Sequence, residues 1–89
     1  MRSVVTIIGK DKVGIIAEVS KELARNNCNI LDINQTVMQE YFTMIMLVDI
    51  SKCSIDLVDL KKNLKLIGNE MGLSIRLQRE DIFNKMHEI

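Results

Sequence analysis

The stretch GKDKVGII, residues 9–16, contains residue types and a spacing that could bind a small ligand. A short charged loop lies between two glycines and ahead of a helical pattern, and the free amides of a helix N-terminus often hold an anion. The glycines have the spacing of a Walker-type phosphate loop, but Ile15 and Ile16 replace the lysine and hydroxyl residue that bind phosphate and Mg²⁺. The dinucleotide fingerprint also fails, because Asp11 replaces its second glycine. Nucleotide binding is therefore disfavoured.

A smaller ligand that carries both charges suits this loop better. The amides around Gly14 can receive a carboxylate, and Asp11 offers a negative charge to an ammonium group. Gly14 lets a ligand or a neighbouring chain approach the backbone closely. An amino acid carries both charges on one carbon, so the loop is a candidate amino-acid site. In the alternative interpretation the glycines only form turns and Asp11 is a solvated charge.

The remaining polar residues give no sign of catalysis or metal binding. The 89-residue chain has one histidine, His87, and two cysteines, Cys28 and Cys53, without metal-ligand spacing. Because no nucleophile–base pair can be named, we predict that the protein is not an enzyme and has no cofactor. The cysteines are interpreted as free thiols in a reducing interior.

Charge balance and hydropathy restrict the classes of partner. Twelve basic residues balance twelve acidic ones, so the chain lacks the positive field that gives general affinity for nucleic acid. Direct binding of DNA or RNA is therefore disfavoured. No apolar run reaches the roughly 18 residues of a membrane span, and the N-terminal run is too short for a signal peptide. We predict a cytoplasmic protein that does not enter a membrane.

Six predicted elements must position the loop. Hydrophobic periodicity predicts the order strand, helix, strand, strand, helix, strand. The strands are predicted at residues 2–9, 28–39, 42–50 and 73–80, and the helices within residues 13–27 and 57–71. This order is typical of the α+β, ferredoxin-like split arrangement, in which two helices pack on one face of a four-stranded antiparallel sheet.

The patterns also predict which faces are buried. The first helix is expected to bury the stripe Ile16, Val19 and Leu23, with its charged residues, Glu22 among them, on the other face. The second strand alternates loosely and is expected at an edge of the sheet. The third strand is apolar on both faces, so it is expected in the middle of the sheet with both faces at least partly covered.

The domain is predicted to span residues 1–80, followed by a short C-terminal helical tail at residues 81–89. An apolar stripe indicates this helix: Ile82, Phe83, Met86 and Ile89. The two main helices cover one sheet face, which leaves apolar residues of the first and third strands on the other. These are Val5, Ile7, Ile45 and Leu47, or their neighbours. The tail helix or a partner subunit is expected to cover that second face.

The segment GKDKVGIIAEVSKELARNNCNILDINQ resembles the signature of the ACT domain, a small regulatory module of amino-acid metabolism. The shared pattern is a strand, then Asp/Asn-x-x-Gly, an apolar-periodic helix, and Asn-Ile at the start of the second strand. The resemblance covers residues 2–80. The continuation QTVMQEYFTMIMLVDI resembles more narrowly a group of single-ACT-domain bacterial and archaeal proteins related to the glycine cleavage system transcriptional repressor.

The resemblance implies a homodimer with a ligand site between its subunits. ACT domains typically pair, often side by side, and bind amino acids between the first loop of one domain and the second-strand region of its partner. Asp11, Gly14 and Asn29 match the positions that hold amino acids in the serine-responsive members. The ligand-binding set implied in this way is Asp11, Val13, Gly14, Ile15, Asn29 and Ile30.

Two positions depart from the family pattern. Gly9 stands where some amino-acid-binding members carry a histidine, and Val13 stands where proline is frequent. The resemblance therefore leaves the identity of the ligand open.

Two functions follow from the sequence. In the first, the protein is a homodimeric regulatory module that senses a small amino acid and modulates a partner protein or transcription. In the second, it is a dimerisation or interaction module of ACT type without a ligand. Transcriptional control through direct DNA contact is a third reading, and the neutral charge argues against it.

Overall fold

The six elements occur in the predicted order. The computed structural model describes residues 1–81. The strands are β1 (Arg2–Lys10), β2 (Asn29–Met38), β3 (Tyr41–Asp49) and β4 (Leu73–Arg79). The helices are α1 (Ile15–Arg25) and α2 (Leu57–Met71). The predicted α+β, ferredoxin-like fold is confirmed, whereas the apolar stripe of the predicted tail, residues 82–89, lies outside the described residues.

The four strands form one antiparallel sheet in the order β2-β3-β1-β4. The predicted edge position of β2 and the central position of β3 are confirmed. β2 and β3 are paired neighbours in the chain, whereas each helix connects two strands that do not pair with each other, as expected of a split arrangement.

Both helices pack on one face of the sheet. Val5 and Ile7 of β1 point to this face, and the register places Met46 and Met44 of β3 beside them. Each of these four side chains is fully buried. Side chains from β4 and both helices complete the core: Ile15, Val19, Leu23, Leu60, Leu64, Leu73, Ile75 and Leu77.

The opposite face of the sheet is left open by the two helices. Ile45 and Leu47 of β3 lie on it as predicted, and on β1 it is their neighbours Val4 and Ile8 that share it. Ile8 is 52% exposed and Ile45 is 39% exposed. β3 therefore has one buried face and one partly covered face.

The buried face of α1 differs from the prediction by one residue. Ile15, Val19 and Leu23 are buried, whereas Ile16 is 42% exposed. The predicted stripe that began at Ile16 is therefore wrong at its first residue. Val19 lies four positions after Ile15, and Glu22 lies three positions after Val19. This spacing places the three side chains on one face of α1.

Glu22 was expected on the exposed face of α1, and this expectation is wrong. Only 7% of the residue is exposed. Its carboxylate accepts hydrogen bonds from Arg25 of the same helix, at 2.6 Å, and from Asn63 of α2, at 3.0 Å. These donors offset the cost of burying a charge, so Glu22 links the two helices.

Candidate ligand site beside the first loop

The loop after β1 is held at the end of the sheet where the β2–β3 hairpin turns. The Asp11 amide donates a hydrogen bond of 2.9 Å to the Glu40 carbonyl in that hairpin. Gly14 then adopts a φ of 94° and begins α1. This left-handed conformation suits glycine, which has no Cβ to clash. Gly14 therefore directs α1 back along the sheet and leaves the loop at its rim.

The N-terminus of α1 has amides available for a ligand. No side chain caps the helix at Gly14. The first amides of an α-helix have no carbonyl partner within the helix, and they form the positive end of its dipole. A Cβ placed on Gly14 would have no atom within 4 Å, so there is open space beside these amides. A carboxylate is the kind of group that this end of the helix favours.

A hollow of about 420 Å³ lies beside the start of α1. The loop, the first turn of α1 and strands β2 and β3 line it: Asp11, Lys12, Gly14, Ile15, Ile16, Ala17, Gln35 and Phe42. Asp11 and Lys12 supply one charge of each sign, and Gln35 supplies an amide that both donates and accepts. The remaining surface is apolar or backbone. This combination suits a small zwitterion.

Three of the six predicted ligand residues line this hollow. They are Asp11, Gly14 and Ile15. Val13 belongs to the same loop but is completely exposed, at 102% of its reference area. The structure therefore groups the loop residues as expected, with one side chain directed away from the hollow into solvent.

The other two predicted residues, Asn29 and Ile30, lie at the opposite end of the sheet. They open β2, which has ten residues and thus spans about 30 Å. Asn29 lines a separate hollow of about 390 Å³, together with Asp49 and Lys52. Asp49 accepts a hydrogen bond of 2.9 Å from the Ser51 amide, which holds the pKa of its carboxyl below the usual range. Within one chain, Asn29 and Asp11 are too far apart to share a small ligand.

Gln35 and Phe42 also line the hollow but are not among the predicted ligand residues. Gln35 pairs with Met44, and Val37 pairs with Phe42, so both β2 residues are on the helix side of the sheet. Along β2 this register reads Ile33, Gln35, Val37, in which one polar side chain interrupts an apolar row. That interruption is the signal that could have identified Gln35, once the strand register was known.

A larger hollow, of about 650 Å³, lies between α2 and β4. Lys65 and Arg76 are its charged residues, and it has no carboxylate. It therefore offers an ammonium group no negative charge, and its two cations would repel one. The hollow beside α1 is the better match for an amino acid.

Metal sites and membrane-spanning helices are absent from the described part of the chain. In residues 1–81, no three His, Cys, Asp or Glu side chains are grouped so that they could hold a metal ion. Neither α1 nor α2 is long and apolar enough to cross a membrane. His87 lies outside this range.

The chain was compared with known families and curated proteins. The family model described as ACT domain matches residues 2–78. A UPF0237 protein of Methanocaldococcus jannaschii is 54% identical over 88 residues, which cover 99% of this chain and 98% of that protein. The match therefore extends over almost the full length of both sequences.

Solved structures show the same similarity. The fold matches an ACT domain protein from Streptococcus pneumoniae with a TM-score of 0.80 and 40% identity, over 93% of each chain. It also matches a "putative glycine cleavage system transcriptional repressor" with a TM-score of 0.73 and 28% identity, over 88% of this chain and 44% of that one. The fold is thus shared with these proteins.

Proposed function

Since the chain belongs to the ACT domain family, we propose that it is a homodimeric regulatory module that binds a small amino acid between its subunits. The observation that carries this proposal is the hollow that Asp11, Gly14 and Gln35 line. It combines a helix N-terminus, a carboxylate and an amide at the rim of the sheet. The proposed site is completed by the second subunit.

The exposed edge of β2 supports the proposed dimer. The strand has ten residues, of which only Asp32 is charged. Four of its apolar side chains are between 42% and 70% exposed: Leu31, Ile33, Val37 and Met38. A free strand edge of this kind offers unpaired backbone groups and apolar surface to another chain. A second copy of β2 would satisfy both, and a domain this small gains stability from oligomerisation.

An antiparallel pairing of two β2 strands would also explain why Asn29 and Asp11 are separated in one chain. In a two-fold dimer, the start of one β2 lies beside the end of the other. Asn29 of the partner subunit would then approach the loop that carries Asp11. The predicted residues that lie at opposite ends of one sheet would thereby form one site.

The proposed ligand is oriented by its two charges. Its carboxylate accepts hydrogen bonds from the backbone amides of Gly14 and Ile15, and its ammonium group donates a hydrogen bond to the Asp11 carboxylate. Its side chain lies toward the apolar part of the hollow, where Ile16 and Phe42 are found. Gln35 and the partner's Asn29 supply the remaining polar contacts.

The proposed output is regulation of another protein or of transcription, without catalysis by this chain. The similarity to a putative transcriptional repressor of the glycine cleavage system supports a regulatory role. The bound amino acid would change the affinity of the dimer for its partner, and linkage requires the partner to change the affinity for the amino acid equally. The two free thiols, Cys28 and Cys53, suit the cytoplasm as the compartment.

Thermal melts with each standard amino acid test the proposal. A ligand at about a hundred times its dissociation constant stabilises the folded state by roughly 2.7 kcal/mol. For a domain of this size, the melting temperature should rise by roughly 10 °C. A dimer that responds to none of the amino acids would refute the sensing function and identify the chain as a dimerisation module.

Variants locate the site once a responding amino acid is known. Asp11→Asn and Asn29→Ala should each abolish the shift while the protein remains a folded dimer. Asp59→Asn, an exposed acidic position on α2, is the matched control and should respond like the original protein. A full response from both site variants would show that the ligand binds elsewhere.

A further inference from the structure

The turn after α1 and the loop after β3 are joined by two hydrogen bonds. The Ser54 amide donates to the Asn26 carbonyl at 2.9 Å. The Asn27 side-chain amide donates to the Lys52 carbonyl, also at 2.9 Å. Asn27 adopts a φ of 62°, which turns the chain sharply between α1 and β2. These contacts fix the backbone on both sides of the position where the two segments meet.

Cys28 and Cys53 lie at this meeting point. They are 25 positions apart in the sequence, yet Cys53 lies between Lys52 and Ser54, which accept and donate the two hydrogen bonds, and Cys28 directly follows their partners Asn26 and Asn27. Cys28 is buried and its sulfur also contacts the Asn26 carbonyl, at 3.7 Å. Cys53 is half-buried and packs against the core cluster that contains Cys28. The fold therefore brings the only two cysteines of the chain together.

We propose that Cys28 and Cys53 form a reversible disulfide, a redox modification site that links the start of β2 to the loop after β3. A disulfide requires the two Cα atoms within about 7 Å and the side chains directed at each other. Two cysteines that pack in one core cluster, on segments joined by hydrogen bonds on both sides of Cys53, need little backbone movement to meet this requirement. The inference rests on this geometry and is independent of the proposed amino-acid site.

The oxidant is a small-molecule disulfide. The Cys53 thiolate attacks one of its sulfurs, the S–S bond breaks, and one thiol leaves. Cys28 then loses its proton to solvent, and its sulfur attacks the Cys53 sulfur in the mixed disulfide. The second small thiol leaves as the Cys28–Cys53 bond forms. Two protein thiols are oxidised and one small disulfide is reduced to two thiols, so atoms and electrons balance.

The two cysteines have different roles in this sequence. Burial first, and then the neighbouring Cys53, together raise the pKa of the Cys28 thiol to about 12. Cys28 therefore stays protonated and reacts poorly with reagents from solvent. Cys53 is the accessible thiol at which oxidation begins. Cys28 reacts only afterwards, because its attack is intramolecular and needs no encounter.

The full-length protein equilibrated with oxidised and reduced glutathione tests this proposal. The expected product is a chain that is not covalently linked to another chain and whose mass is lowered by about 2 Da, for the two hydrogens lost. Proteolysis without reductant should give one linked pair of fragments containing Cys28 and Cys53. The melting temperature should rise by at least about 5 °C, because the bond restricts the unfolded chain.

Single variants separate the roles of the two thiols. Cys28→Ala should accumulate a stable glutathione adduct on Cys53, because no second thiol can displace it. Cys53→Ala should take up glutathione at least about tenfold more slowly, because its one thiol is buried. If Cys28→Ala does not fold, the fragment map of the original protein decides. A stable adduct on Cys53 of the original protein, or disulfides only between chains, would overturn the proposal.

Discussion

β2 and β4 both lie at an edge of the sheet, yet β2 exposes its apolar side chains whereas β4 buries them. The apolar residues of β4 are at most 9% exposed: Leu73, Ile75 and Leu77. On β2, Ile33 and Val37 also point to the helix side of the sheet, but they are 42% and 48% exposed. The same alternating pattern thus has different outcomes at the two edges.

The two helices explain this difference. α2 has 15 residues and lies so close to β4 that a Cβ on Gly68 would be 2.7 Å from the Leu73 carbonyl oxygen. α1 has 11 residues and leaves the helix side of β2 uncovered. The apolar side chains of β4 are therefore covered within the chain. The β2 edge has surface left for another molecule, which we propose is a second copy.

The largest expected effect comes from a charge placed on the β2 edge. Ile33→Asp should raise the dimer dissociation constant at least about 100-fold, because it desolvates a carboxylate at the centre of the proposed interface. Analytical ultracentrifugation over a concentration series measures this change. Ser74→Asp places the same charge at an exposed position of β4 and should leave the dimer intact. Dissociation by Ser74→Asp alone would reverse the roles of the two edges.

A second prediction concerns the close packing at β4. Gly68→Ala should lower the free energy of unfolding by about 2 kcal/mol, because α2 must move away from the Leu73 carbonyl. Gly14→Ala is the comparison, because its Cβ meets no atom within 4 Å and only the left-handed φ costs about 1 kcal/mol. Urea unfolding measures both. A greater loss from Gly14→Ala would show that the β4 contact is looser than the structure indicates.

A third prediction concerns the open face that both edges share. We expect the predicted tail, residues 81–89, or a partner subunit to cover Ile8 and Ile45. If the tail does so, deleting residues 81–89 should lower the free energy of unfolding by about 1.5 kcal/mol, the lower value for uncovering one large apolar side chain. Chemical unfolding and ultracentrifugation of the truncated chain measure stability and assembly together. Unchanged values for both would remove this role of the tail.

The smallest expected effect is at Asp49, which pairs with Asn29 at the start of β2. The Ser51 amide lowers the pKa of the Asp49 carboxyl, so its charge stabilises the folded state above the unfolded pKa, which is about 3.9. This contribution is lost as the pH falls through the folded pKa. The melting temperature of Asp49→Asn should therefore be slightly lower than that of the original protein at pH 7. In strong acid the two melting temperatures should be equal. A difference that persists in strong acid would assign the effect to shape rather than charge.

Sequence periodicity was sufficient for the elements and their order, because each depends on a local pattern. The helix over residues 57–71, the edge position of β2 and the central position of β3 were all anticipated. The sequence was less sufficient for deciding which face of each element is buried. On α1 the stripes that begin at Ile15 and Ile16 are both apolar, and only the sheet decides which one is buried.

The site shows the same division. Asp11 and Gly14, which line the hollow beside α1, could be predicted from residue type and spacing, because a loop and a helix start are contiguous in the chain. Gln35 was missed, because it reaches the hollow only through the register of β2 with β3. The proximity of Cys28 and Cys53 was missed for the same reason.

The sequence alone determined the βαββαβ order, the family resemblance and the loop that begins α1, since all of these depend on short-range patterns. The tertiary structure decided three other features. It buried Glu22 between two helices, it separated Asn29 from Asp11 by the length of β2, and it left the apolar side chains of β2 uncovered. Each of these depends on how elements distant in sequence pack, which local periodicity does not encode.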